Sequence, residues 1–259
     1  MRALPRKLGK AEHDLRFVLP NLFTAASLCA GMTALLFAAE GKIELAVLCV
    51  LLAAILDACD GRIARMTGTT SRFGSELDSL ADVVSFGAAP AFVLFCWGLG
   101  QFGMSGWLPC LALGTCCALR LARFNVAAQD QAAPAWSANY FAGIPAPAGA
   151  FLALAPILAE FSDFLGNVEA SWLALFVTPA IAGLMISTWP TFSGKSLGRK
   201  ASRLMLLPPV ALAGLVALGL LRWPWATLLA LAALYVCTLP LSKWRHGVLG
   251  SRSLHGPRI

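Results

Sequence analysis

Long apolar stretches alternate with short polar connections along most of this chain. A helix that crosses the hydrocarbon core of a bilayer needs about 20 predominantly apolar residues, and the longer stretches approach that length. The pattern predicts an all-α integral membrane protein, a polytopic helical bundle of about eight transmembrane helices. The predicted spans are approximately residues 19–39, 43–60, 77–99, 107–121, 146–161, 171–189, 204–221 and 224–242.

The remaining segments are too polar to cross a membrane. Residues 1–17 form a basic cytoplasmic or interfacial segment. The stretch AEHDLRFVLP at 11–20, which overlaps its end, favours a short surface helix, with a frayed basic tail as the alternative. No cleavable signal peptide is predicted, so the first span is expected to remain. Residues 124–145 are amphipathic and are expected at the interface, and residues 244–259 form a basic cytoplasmic tail.

Composition agrees with a membrane protein. Of 259 residues, 58% are hydrophobic and 13% are charged, with a mean hydropathy of +0.73. A soluble domain carries about 25% charged residues, so that class is excluded. The net charge of +7 does not indicate nucleic acid, because the basic residues lie in the connections, as expected for cytoplasmic loops near anionic headgroups. The predicted spans leave two of the 20 Lys and Arg, Lys42 and Arg222, outside and 18 inside, with the N-terminus cytoplasmic.

Cysteine and histidine add no second chemistry. The eight cysteines lie within or at the ends of apolar stretches and form no CxxC pair, as expected for small core residues in a reducing or lipid setting. The three histidines, His13, His246 and His255, fall near the termini. The sequence therefore indicates no histidine-based active site.

The chemistry is concentrated in residues 57–82, which read DACDGRIARMTGTTSRFGSELDSLAD. Asp57 and Asp60 are three residues apart and Asp78 and Asp82 are four apart, so each pair shares one face if both segments are helical. Four clustered carboxylates at the edge of a membrane repel one another and need cations between them. Oxygen-only ligands favour hard ions such as Mg²⁺ or Mn²⁺ over Zn²⁺.

Written as a pattern, this stretch is D-x2-D-G-x2-A-R-x8-G-x3-D-x3-D, which resembles the signature of the CDP-alcohol phosphatidyltransferases. The matching fixed positions are Asp57, Asp60, Gly61, Ala64, Arg65, Gly74, Asp78 and Asp82. Four further segments resemble the phosphatidylserine synthase branch: SFGAAPA at 85–91, RLARFN at 120–125, FAGIPAPAGA at 141–150 and STWPTFSGK at 187–195. The resemblance implies a six-helix family core at residues 18–200. The last two predicted spans carry almost no polar residue, so residues 201–243 are interpreted as an additional transmembrane helix pair.

The resemblance also implies a reaction. An alcohol would attack CDP-diacylglycerol at the phosphorus that carries the diacylglycerol, and CMP would leave. The implied cofactors are two divalent cations, Mg²⁺ or Mn²⁺, with Asp57, Asp60, Asp78 and Asp82 as ligands. Asp82 is also the implied base that takes the acceptor's proton. The residues implied for CDP binding are Asn21, Thr24, Asp57, Gly61, Ala64, Arg65 and Gly74. For Asn21 and Thr24, a capped helix start or hydrogen bonding between helices is the alternative.

The acceptor alcohol is interpreted as L-serine. Arg120, Arg123 and Lys195 offer fixed positive charge for a carboxylate or a lipid phosphate, although they also suit a role as anchors at the headgroups. Related enzymes that use glycerol 3-phosphate, inositol phosphate or choline remain alternatives, since Arg62 and Arg72 suit a phosphate and the aromatic residues near 136–141 suit choline.

A cation transporter is the alternative from another class of protein, but its acids would have to continue across the membrane. A homodimer is implied by the resemblance. We expect an inner-membrane location, with the active site facing the cytoplasm.

Overall fold

The structure is a computed structural model that describes residues 7–67, 71–129, 140–187, 190–192 and 207–238. The predicted basic tail, Lys195 and residues 68–70 of the predicted turn at 66–72 lie outside these residues, as does most of 130–145. Contacts divide the chain into two compact units, Met1–Phe124 and Asn125–Ile259, which are described separately. The described residues are predominantly helical, as predicted.

The first unit begins with a helical hairpin. Helix α1 (Lys7–Ala39) and helix α2 (Ile43–Thr67) pack along each other after a three-residue turn. Gly41 in this turn has a φ of +75°, a conformation in which a side chain is strained. Small buried residues, among them Ala34, Ala46 and Ala53, line the hairpin and let the two backbones approach, as is common between membrane helices.

Three consecutive segments form the next helical run. Helix α3 (Arg72–Asp82) starts at Ser71, whose hydroxyl oxygen accepts a hydrogen bond from the Gly74 amide at 2.9 Å. A π-helical segment, Val83–Ala88, follows directly and is called the π-turn below. Helix α4 (Ala89–Trp97) completes the run. A short 3-10 helix (Leu99–Phe102) then leads to α5 (Met104–Gln129).

The second unit is built around α8 (Asn167–Ile186). Helices α6 (Ala146–Ala153) and α7 (Ala155–Phe161) both pack against it. Gly149 lies against Met185 so closely that a Cβ there would be 2.6 Å from the Met185 sulfur. Helices α9 (Leu207–Arg222) and α10 (Pro224–Thr238) follow.

The second unit also contains a pairing that the all-α prediction did not include. Strands β1 (Tyr140–Ala142) and β2 (Pro190–Phe192) are antiparallel, with Tyr140 opposite Phe192. Gly143 follows β1 with a φ of +76°, and the Ile144 amide donates to the Leu184 carbonyl at 3.3 Å. The strands join two of the segments that the sequence analysis singled out.

Within the described residues, four helical segments are long and apolar enough to cross a membrane: Pro20–Ala39, Phe73–Trp97, Met104–Ala127 and Asn167–Ile186. They correspond to predicted spans 19–39, 77–99, 107–121 and 171–189. The predicted span 146–161 is divided between α6 and α7 at Leu154. Helix α1 runs without a break from Lys7 into the first span, so the surface helix predicted at its start is part of one longer helix. The total of eight spans and the domain boundaries stay predictions.

Candidate metal and catalytic centre

The four predicted aspartates converge in the first unit. One carboxylate oxygen each from Asp57, Asp60 and Asp78 lies within 4.8 Å of the others. Asp60 is buried, with 5% of its surface exposed, and the other two are half-buried. Asp82 lies beside Asp57, and their side chains are within hydrogen-bonding reach. Helical spacing on α2 and α3 therefore produces the cluster that the sequence predicted.

This arrangement fits a divalent cation. Carboxylates that converge this closely in a partly buried position repel one another unless a cation neutralises them. The ligand atoms are all oxygens, which suits Mg²⁺ or Mn²⁺. Asp57, Asp60 and Asp78 would hold the ion, and Asp82 is close enough to join them or to act on a neighbouring substrate.

Helix α1 contributes a hydrogen bond to this cluster. The Thr24 hydroxyl lies 2.8 Å from Asp60 Oδ2 and 3.1 Å from the Pro20 carbonyl oxygen, and it is buried. The bond to Asp60 fixes one carboxylate oxygen and leaves the other for a cation. The structure thus gives Thr24 an interhelical bond, the alternative that the sequence left open. A contact with CDP stays a prediction.

Asn21 and Gly74, both predicted to bind CDP, lie against each other. A Cβ built on Gly74 would be 2.8 Å from Asn21 Oδ1 and 3.0 Å from Ser71 Oγ. The space that the missing side chain leaves is therefore taken by Asn21, which brings α1 close to the start of α3. Gly61 follows Asp60 on α2 and is half-buried.

The other predicted residues are not all described. Ala64 and Arg65 belong to α2, but their side chains lie outside the described residues. Among the candidate acceptor residues on α5, Arg120 is half-buried and Arg123 is exposed. Lys195 lies outside the described residues, so its grouping with Arg120 and Arg123 stays a prediction.

Two buried residues that connect the helices carrying the aspartates were missed by the sequence analysis. Ser27, on α1 one turn after Thr24, donates from its hydroxyl to the Ala53 carbonyl at 3.0 Å. Ser85, in the π-turn, donates to the Ser27 carbonyl at 3.2 Å. Both are buried. The available signal was polar and small residues at helical spacing on α1, together with the serine of SFGAAPA.

Comparison with known proteins identifies the family. The sequence profile described as CDP-alcohol phosphatidyltransferase matches residues 17–180. The chain belongs to this family. A relative from Mycobacterium leprae, named CDP-diacylglycerol–serine O-phosphatidyltransferase, is 34% identical over 231 residues, which cover 87% of this chain and 74% of the relative.

Two more distant lineages give similar results. A relative of the same name from Helicobacter pylori strain 26695 is 35% identical over 195 residues, covering 74% of this chain and 79% of the relative. Archaetidylserine synthase from Methanothermobacter thermautotrophicus is 31% identical over 172 residues, covering 66% of this chain and 67% of the relative. The resemblance inferred from the aspartate motif is thus confirmed, and it extends well beyond the motif.

Proposed function

We propose that this chain is a CDP-diacylglycerol–serine O-phosphatidyltransferase, which transfers the phosphatidyl group to the L-serine hydroxyl and releases CMP. The convergence of Asp57, Asp60 and Asp78 within 4.8 Å carries the proposal, because it provides the divalent-cation site that such a transfer needs. The names of the bacterial relatives support serine as the acceptor.

The proposed reaction is an in-line displacement. The serine oxygen forms a bond to the phosphorus that carries the diacylglycerol, while the bond from that phosphorus to the oxygen of CMP breaks. Bound cations, two in our proposal, would neutralise the pyrophosphate oxygens and the leaving CMP. Asp82 takes the proton from the serine hydroxyl. A general base of this kind accelerates a reaction by about 10²- to 10⁴-fold.

We propose further roles for residues around the aspartates. The CDP part is bound by Asp57 together with six neighbouring residues: Asn21, Thr24, Gly61, Ala64, Arg65 and Gly74. Arg120, Arg123 and Lys195 attract the serine carboxylate. The half-buried position of Arg120 supports this role, since a guanidinium in an apolar segment is stabilised by an anionic partner.

The setting in the cell is part of the proposal. The distribution of Lys and Arg supports eight spans, a cytoplasmic N-terminus and an active site that opens to the cytoplasm of an inner membrane. We also propose a homodimer, on the basis of the family.

The experiment is CMP release by purified protein in detergent with CDP-diacylglycerol and Mn²⁺ or Mg²⁺. Serine, glycerol 3-phosphate, inositol phosphate and choline are supplied separately. Release should require serine, and Asp82→Asn should reduce it by at least about 100-fold. Asp163→Asn is the matched control, because Asp163 is exposed in the loop after α7 and its positive φ is one that Asn tolerates.

Each contrary result has a meaning. Release with another alcohol alone would retain the metal-dependent transferase and overturn serine as the acceptor. Absence of release with every alcohol would favour a cation-binding transporter instead. Equal losses in Asp82→Asn and Asp163→Asn would remove Asp82 as the base.

A further inference from the structure

The π-turn Val83–Ala88 begins directly after Asp82 and lies within the run from Phe73 to Trp97 that is long enough to cross a membrane. A π-turn has more residues per turn than an α-helix and occurs mostly as a single turn, often at functional sites. It therefore changes the orientation of the residues before it relative to those after it. Asp78 and Asp82 precede it on α3.

Ser85 ties the π-turn to α1. Its side chain is fully buried, and its hydroxyl donates to the Ser27 carbonyl oxygen at 3.2 Å. Ser27 in turn donates to the Ala53 carbonyl at 3.0 Å, which ties α1 to α2. Two hydroxyls thus connect the helix that carries Asp57 and Asp60 to the helix that carries Asp78 and Asp82.

The same contact allows no intervening side chain. A Cβ built on Gly31 would lie 2.5 Å from Ser85 Oγ and 2.8 Å from Ser85 Cα. On its other side, Gly87 faces α5, where a Cβ would lie 3.2 Å from the Cβ of Cys117. The π-turn is therefore held between α1 and α5, and Ser85 is its polar contact with α1.

We infer that Ser85, with Ser27, is a positioning element that sets the distance of Asp78 and Asp82 from Asp57 and Asp60. The inference rests on the proposed function, in which these aspartates hold cations and Asp82 is the base. It gives a physical role to the SFGAAPA segment that the resemblance alone does not explain. The Ser85 hydroxyl donates to the backbone carbonyl of Ser27, so its effect passes through the backbone of the π-turn.

The test compares Ser85→Thr with Ser85→Val in the full chain. These two side chains have nearly the same shape, so any strain from the added methyl is common to both and only the hydroxyl differs. Thr33→Val is the control, because its hydroxyl donates within α1 to the Cys29 carbonyl at 2.7 Å and is exposed. Ser85→Val does not leave the Ser27 carbonyl unpaired, because a carbonyl within a helix still accepts a hydrogen bond from the amide four residues later.

Two readouts separate positioning from folding. The first is kcat and KM for CMP release, with the thermal unfolding temperature measured on the same preparations. The second is the binding of Mn²⁺ alone, which is monitored through the loss of the electron magnetic resonance signal of the free ion. We expect kcat for Ser85→Val to be about tenfold to 100-fold below that of Ser85→Thr, as for a misplaced catalytic group. KM for CDP-diacylglycerol should change by less than about threefold, because substrate binding is retained. Mn²⁺ should bind more weakly to Ser85→Val.

The outcomes distinguish this inference from the proposed function. If the unaltered chain releases CMP and the two variants agree in kcat and in Mn²⁺ affinity, the positioning role is wrong and the function stands. If the unaltered chain releases no CMP, the function fails, and the Mn²⁺ comparison alone decides the positioning role. A loss in Ser85→Val that follows a lower unfolding temperature, with Mn²⁺ affinity unchanged, would also overturn positioning.

Discussion

Replacement of Gly31 by alanine tests the packing that supports the aspartate cluster. The new methyl would lie 2.8 Å from Ser85 Cα, where ordinary contacts begin at 3.4 Å, so α1 and the π-turn must separate by roughly 0.6 Å (3.4 minus 2.8). Overpacking of this kind costs about 1–3 kcal/mol. Replacing a glycine in a helix interior by alanine stabilises the folded state by about 0.5–1 kcal/mol. We therefore expect a net destabilisation of about 0–2.5 kcal/mol.

Gly183→Ala provides the matched control for this prediction. Gly183 lies on α8, and among the described residues a Cβ there would meet no atom within 4 Å, so this variant keeps the helix gain without the overlap. The difference between the two variants is then the steric cost itself, about 1–3 kcal/mol. The assay is thermal unfolding in detergent, monitored by the loss of helical circular dichroism.

The same displacement should reduce activity. A misplacement of 1 Å costs up to about 100-fold in rate, so a shift of roughly half that size predicts a loss of about tenfold in CMP release for Gly31→Ala. Gly183→Ala should keep the rate of the unaltered protein. If Gly31→Ala unfolds no earlier than Gly183→Ala and is equally active, the close contact between α1 and the π-turn does not exist as described.

Three further predictions concern the site. Thr24→Val removes the hydroxyl that donates to Asp60, and a hydrogen bond to a charged group is worth about 1.5–3 kcal/mol. This variant should therefore raise the Mn²⁺ concentration needed for half-maximal CMP release by about tenfold or more. The control Thr33→Val should leave that concentration unchanged. Gly74→Ala should displace Asn21, so a higher KM for CDP-diacylglycerol is expected than in Gly183→Ala, and equal KM values would contradict the contact. Chelation by EDTA should abolish CMP release, and added Mg²⁺ or Mn²⁺ should restore it; activity that persists in EDTA would exclude the cation site.

The sequence was sufficient to predict the aspartate cluster. Spacings of three and four residues put each pair on one helix face. The predictions for the residues of the cluster therefore agree with the observed convergence of Asp57, Asp60 and Asp78.

The π-turn could not be predicted in the same way. An apolar helix leaves no periodicity from which one extra residue per turn can be detected, and residues 83–94 are almost entirely apolar or small. The hydrogen bond from Ser85 to Ser27 joins residues 58 positions apart. This hydrogen bond depends on how two helices pack, and the hydrophobic pattern of the sequence does not specify that packing.

Proline explains the division of one predicted span. Apolar composition suggested a single helix at 146–161, but Pro156 has no amide hydrogen to donate to the carbonyl four residues earlier. Helix α6 ends at Ala153 and α7 begins at Ala155, with proline in its first turn. Pro20 did not have this effect, since α1 continues through it.

The measurement that tests the central claim most directly uses serine labelled with ¹⁸O in its hydroxyl group. Purified protein is incubated with this serine, CDP-diacylglycerol and Mn²⁺, and the masses of both products are measured by mass spectrometry. Attack by the serine oxygen on the lipid-bearing phosphorus predicts that the label appears in phosphatidylserine and that CMP remains unlabelled. Label in a CMP–serine product together with phosphatidic acid, or the absence of labelled phosphatidylserine, would contradict the proposed reaction.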